Sequence, residues 1–105
     1  MENKRKYKAV DKNVRGDFYV EDGCCTMCGV PQAEAPELFG GFDENWNSIH
    51  EQCFVKKQPQ NNLELNKMIN AMAAQELTCI RYCGTNKNIK EKINTVGEQN
   101  QIDWK

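Results

Sequence analysis

Six cysteines stand in this chain, at positions 24, 25, 28, 53, 79 and 83, together with a single histidine at position 50. Cys25 and Cys28 form a C-x-x-C pair, and two intervening residues let both sulfurs turn toward one metal ion or one iron–sulfur cluster. Cys24 precedes Cys25 directly. Consecutive side chains point apart, so Cys24 is either a ligand in place of Cys25 or a small buried hydrophobe. His50-x-x-Cys53 offers a second half-site: Cys25, Cys28, His50 and Cys53 make a Cys₃His set of the kind that holds structural zinc in tetrahedral geometry. A metal-free reading stands beside both, with the thiols as small packed side chains or occasional disulfides. Nucleophilic catalysis is the least supported chemistry. It requires Cys25 or Cys28 to meet His50 and a third orienting group, and no such group, phosphate-binding glycine fingerprint or carboxylate pair stands out, so no enzyme is expected.

The remaining composition narrows the setting in which those sulfurs act. Fourteen basic residues against fifteen acidic ones leave a formal charge of −1 in 105 residues, so no long-range field draws the protein toward nucleic acid or a membrane. Lys4, Arg5, Lys6 and Lys8 cluster near the N-terminus and read as a solvated tail. No apolar run reaches the length of about 20 residues that spans a bilayer, and the basic start is not followed by a signal-peptide stretch. A cytoplasmic protein is expected. In that reducing compartment an excess of cysteine reads first as metal or redox chemistry and second as disulfides.

Positioning the cysteines takes one domain, preceded by a polar arm over residues 1–15 and extending over 16–105. Phe18 and Val20 alternate with Tyr19 and Glu21 before the turn dipeptide Asp22-Gly23, which predicts a first strand leading into the cysteine loop. Ala35-Pro36-Glu37-Leu38-Phe39 before Gly40-Gly41 predicts a short helix with Pro36 in its first turn. Cys53 to Lys57 reads as a strand ended by Pro59, with Trp46 to Ile49 as its hairpin partner. Asn61 and Glu64 have capping-box spacing ahead of Leu65, Met68, Ile69 and Met72, predicting a helix over 62–75. Leu77 to Tyr82 reads as a last strand stopped by Gly84, and Thr85 as the cap of a final helix that ends at Gly97. The order is strand, helix, two strands, helix, strand and an added helix, an α+β arrangement of ferredoxin-like βαββαβ type with a C-terminal helix.

Phe18-Tyr19-Val20 running into the cysteine loop, then Ala35-Pro36-Glu37-Leu38-Phe39, then Phe54-Val55-Lys56-Lys57-Gln58-Pro59, resembles the small bacterial single-cluster ferredoxins over about residues 16 to 84. The resemblance implies a three- or four-iron cluster, one-electron transfer and a redox partner protein. It departs at two ligand positions: the family's third cysteine falls at Pro31 and its fourth near Gln75. Ligands must then come from the cysteines that remain. Residues 79 and 83 on one strand face lie about 13 Å apart, too far to serve one small cluster. In the layout that the resemblance implies, the start of the last strand lies beside the end of the first, so Cys79 is the better placed and Cys83 reads as a packing residue. The cluster set is therefore Cys25, Cys28 and Cys79 with Cys24 or Cys53, and the mechanism is outer-sphere transfer through a site near the surface.

Overall fold

Strand β1 (Phe18–Val20) pairs antiparallel with β4 (Ile80–Tyr82), in the register Phe18 to Tyr82, Tyr19 to Arg81 and Val20 to Ile80. The computed structural model describes residues 5–24, 29–43, 45, 47, 52–75 and 78–104. Alternation along the pair sorts its side chains onto two faces. Phe18, Val20, Ile80 and Tyr82 enter the hydrophobic core, where the Phe18 and Tyr82 rings lie 4.8 Å apart, directly opposite one another. Tyr19 and Arg81 face the other way and are nonetheless buried, because the two ends of the chain cover that face.

One covering segment is the stretch expected to be a polar arm. Residues 5–15 lie along β1: Ala9 bridges to Glu21, Val10 N–H donates to the Val20 carbonyl, and the Val10 side chain is buried. Asn13 then joins the two sheets, its Oδ1 accepting from the N–H groups of both Val20 and Val55 at 3.1 and 2.9 Å. A polar sequence without period hid this role, since Asn13 satisfies strand-edge donors and leaves no hydrophobic pattern. The other covering segment is C-terminal, where Ile102 bridges to Tyr82 and the Asp103 N–H donates to the Tyr82 carbonyl.

Helix α1 spans Val30–Glu34, earlier than expected, with Pro31 in its first turn and Gly29 entering at φ 79°. Pro36 therefore ends this helix and does not start one. A residue before proline is pushed out of the α region, and Ala35 sits at φ −143°, ψ 69°. The chain released there forms β2 (Phe39–Gly40), which pairs antiparallel with β3 (Phe54–Val55) in a second two-stranded sheet. The hairpin partner of β3 is thus Phe39–Gly40; Trp46, Ser48 and Ile49 of the segment expected in that role lie outside the described residues. A side chain at Gly40 would meet the Phe54 ring at 2.5 Å, so glycine lets the two strands close.

Helix α2 (Asn62–Ala74) follows its sequence signal closely, packing against α1 through a face that includes Met68, Ile69, Ala71 and Met72. The Asn61 side chain accepts from the Glu64 N–H at 2.9 Å, while the Glu64 carboxylate takes the Gln60 N–H and the Lys57 ammonium. The Lys57 contact is the main reason the Glu64 carboxyl titrates below its ordinary range. Asn61→Ala is expected to cost about 1 kcal/mol of unfolding free energy, read from urea curves, with an unchanged m-value. Helix α3 (Lys87–Thr95) is capped by Asn86, one residue after the expected Thr85, and Ile93 anchors it in the core. Gly97 at φ 80° ends it, and a 3₁₀ turn over Gln99–Gln101 leads to the C-terminal segment. The chain is α+β, and among the described residues no helix is long and apolar enough to cross a membrane.

Candidate functional site: a cysteine pole

The antiparallel register of β1 and β4 places the turn after Val20 next to the residue before Ile80. Cys24 and Cys79 therefore meet although 55 residues separate them, with Cα atoms 5.5 Å apart and a disulfide between the sulfurs. The Glu21 N–H donates to the Cys79 carbonyl at 2.9 Å and extends the ladder right up to the bond. Cys79 is buried, and Cys24 is partly exposed against the core. Where the sequence reading puts thiols or ligands first, these two residues form a covalent staple between the ends of two strands.

The β3 segment arrives at the same pole through Gln52. Its Oε1 accepts from the Gly23 N–H at 2.7 Å and its Nε2 donates to Asp22 at 2.8 Å, so the residue before Cys53 is fastened to the turn that carries Cys24. Those contacts, with Lys8 beside it, hold the Asp22 carboxyl below its usual range. Cys53 is buried in the hydrophobic cluster and is itself disulfide-bonded. Of the remaining candidates, Cys25 and Cys28 of the C-x-x-C pair and His50 of the zinc set lie outside the described residues. The structure thus brings Cys24 and Cys79 together, and Gln52 fastens the chain just before Cys53 to the Cys24 turn.

Cys83 behaves as the packing residue expected of it. It is fully buried one residue beyond β4, and its N–H donates to the Asp17 carbonyl. Burial, with Asp17 nearby, pushes the thiol up to about 11, so it stays protonated at neutral pH and has little nucleophilic character.

Gln75 is a side chain at this pole that the sequence marks only as a position where a thiolate is missing. Its N–H closes α2 on the Ala71 carbonyl, and its side-chain Oε1 accepts from the N–H groups of Cys79 and Ile80 at 3.1 and 3.2 Å. An amide after a helix end carries no recognisable signal, because its partners are set by the path of the chain that follows. Among the described residues no group of three or more His, Cys, Asp or Glu side chains is gathered as metal ligands would be. A scan against protein-family models, a search of curated proteins and a search of solved structures each return no match.

Proposed function

We propose that the protein is a small ferredoxin-like one-electron carrier, not an enzyme, whose cysteine pole holds an iron–sulfur cluster when its sulfurs are reduced. The observation that carries the reading is the convergence of Cys24 and Cys79 from opposite ends of the domain, with the chain before Cys53 pinned alongside by Gln52. The element order supports it as well, being the one that the sequence resemblance implies.

The donor set fits the group in kind. Sulfur ligands suit iron–sulfur clusters, and Cys25, Cys28 and Cys79 with Cys24 or Cys53 are the residues that would hold one. The fit has a condition. A disulfide is not a ligand pair, so Cys24–S–S–Cys79 and the separate disulfide at Cys53 must each first take up two electrons and two protons from a dithiol or equivalent reductant to give thiols, which lose their protons on binding metal. A bound cluster supplies the one-electron couple. The chain's own part is to hold the sulfurs at the sheet end, shield them with the Val20 and Ile80 core, and present the partly exposed Cys24 side to a redox partner protein. This reading belongs with a cytoplasmic location, where thiols persist.

A second reading is favoured by the disulfides themselves: a metal-free interaction module stapled by Cys24–Cys79 and by the bond at Cys53, suited to an oxidising compartment. The zinc set of Cys25, Cys28, His50 and Cys53 is a variant of that staple. Anaerobic purification under reductant, with iron, acid-labile sulfide and zinc measured per chain, decides among them. The carrier reading expects stoichiometric iron and sulfide with visible absorption, lost in Cys79→Ala and after air oxidation. Fully reduced protein that takes up neither iron nor sulfide would end it; zinc alone points to the zinc staple, and no metal at all to the disulfide module.

A further inference from the structure

We infer that Gln75 is the positioning residue of the cysteine pole, aiming Cys79 at Cys24 through its carboxamide, and that the C-terminal segment sets the orientation of that amide through Gln101. An amide has an acceptor end and a donor end, and here each end meets its complement. Oε1 faces two donors, the backbone N–H groups of Cys79 and Ile80. Nε2 faces two acceptors, the Met72 carbonyl at 3.1 Å and Gln101 Oε1 at 2.6 Å. Flipping the amide would set donor against donor and acceptor against acceptor, so only one orientation is stable. Gln101 is fully buried and is oriented in turn, its Nε2 donating to the Glu98 carboxylate and to the Met72 carbonyl.

The consequence falls on the sulfur. The N–H groups of Cys79 and of Ile80, the first residue of β4, are both held by one side chain, which fixes the backbone direction at Cys79 and with it the approach of its Sγ to Cys24. In the disulfide form that direction is required. In the dithiol form the strand start is free to relax and find other acceptors, so removing Gln75 weakens the oxidised state more than the reduced one. Gln75 thereby acts on the redox equilibrium of the Cys24 and Cys79 pair without touching either sulfur, and α3 with its 3₁₀ turn serves as the buttress that supplies Gln101.

The inference rests on the cysteine pole being the functional site, and it does not require a bound cluster. It is tested on the metal-free, air-oxidised full chain equilibrated in buffers of reduced and oxidised dithiothreitol, with the Cys24–Cys79 bond quantified by alkylation and peptide mass spectrometry. Gln75→Met keeps the length of the side chain and removes its hydrogen bonds. It is expected to shift the equilibrium toward the dithiol about tenfold, equivalent to about 30 mV for this two-electron couple. Gln101→Met should shift it in the same direction by about threefold, since Gln75 keeps its acceptor but loses its lock. Asn61→Ala, remote from the pole in the fold, should lower stability and leave the ratio unchanged. A ratio for Gln75→Met within twofold of wild type, or an equal shift in Asn61→Ala, assigns Gln75 a purely structural role and overturns the proposal. If Gln75→Met does not fold, an unshifted Gln101→Met overturns it in the same way. Iron analysis enters none of these outcomes, so a failed cluster assay and a failed positioning assay remain distinguishable.

Discussion

The double variant Cys24→Ala/Cys79→Ala is expected to lose about 4 kcal/mol of unfolding free energy relative to the oxidised protein, the amount by which closing so long a loop restricts the unfolded chain. The bond spans 55 residues and encloses α1, both strands of the second sheet and α2, so more than half of the core cluster is built inside the loop it closes. Native contacts change little in the variant, because Cys79 and Cys24 add only small side chains to the cluster. The loss should therefore appear as a lower urea midpoint, with a melting temperature down by roughly 15 °C. Cys83→Ala is the control: it removes a buried sulfur that takes no part in the Cys24–Cys79 bond and should cost about 1 kcal/mol. A double variant within about 1 kcal/mol of wild type would show that the bond does not restrict the unfolded chain as its loop length requires. The same quantity bears on function. Reducing the pole gives up this stabilisation, and under the proposed carrier reading reduced metal-loaded protein is expected to be more stable than reduced metal-free protein.

The parts of this fold that were legible in the sequence are those fixed by neighbours along the chain. α2 could be read because Asn61, Glu64 and the Met68, Ile69 and Met72 stripe are local, and Gly97 marked the end of α3 for the same reason. Phe18 and Val20 gave the buried face of β1 by simple alternation. The short helix was misplaced because two prolines, Pro31 and Pro36, each suit a first turn, and only the backbone at Ala35 shows that the second one terminates. The strand at Phe39–Gly40 depends on its distant partner Phe54–Val55, which propensity does not encode. At the site, the proximity of Cys79 to the end of β1 followed from the layout that the resemblance implies, while its disulfide to Cys24 did not, since Cys24 reads from sequence as a ligand or a small buried hydrophobe and disulfides rank behind metal chemistry. Gln52 and Gln101 did not, since they hydrogen-bond across 29 and 26 residues, and neither did Gln75, whose backbone partners at Cys79 and Ile80 are set by the path of the chain beyond the helix end.

Asp103→Ala is expected to destabilise the protein by about 3–5 kcal/mol, because it strands a buried positive charge. The Asp103 side chain is wholly buried and the Arg81 side chain nearly so, with Nε of Arg81 donating to Oδ1 at 2.7 Å. Oδ2 accepts from the Tyr19 hydroxyl at 2.5 Å and from the Lys6 N–H at 3.0 Å. Burial first and the bond to Asp103 second push the Tyr19 phenol well above its ordinary range, so it remains the proton donor throughout the accessible pH range. Removing the carboxylate leaves Arg81 with Glu21 at 3.9 Å, the Asn100 carbonyl and the Tyr7 ring, none of which replaces a close buried anion. Tyr19→Phe deletes one bond to a charged acceptor and one accepted from the Tyr7 N–H while leaving the ion pair intact, so it should cost about 1.5–3 kcal/mol. The two changes share a partner, and their combined cost should fall short of the sum by about 1 kcal/mol or more in a double-mutant cycle. Strict additivity would mean that the phenol and the carboxylate are not coupled. A loss under about 1 kcal/mol for Asp103→Ala would mean that water reaches Arg81 and that the two chain ends do not seal this face of the sheet.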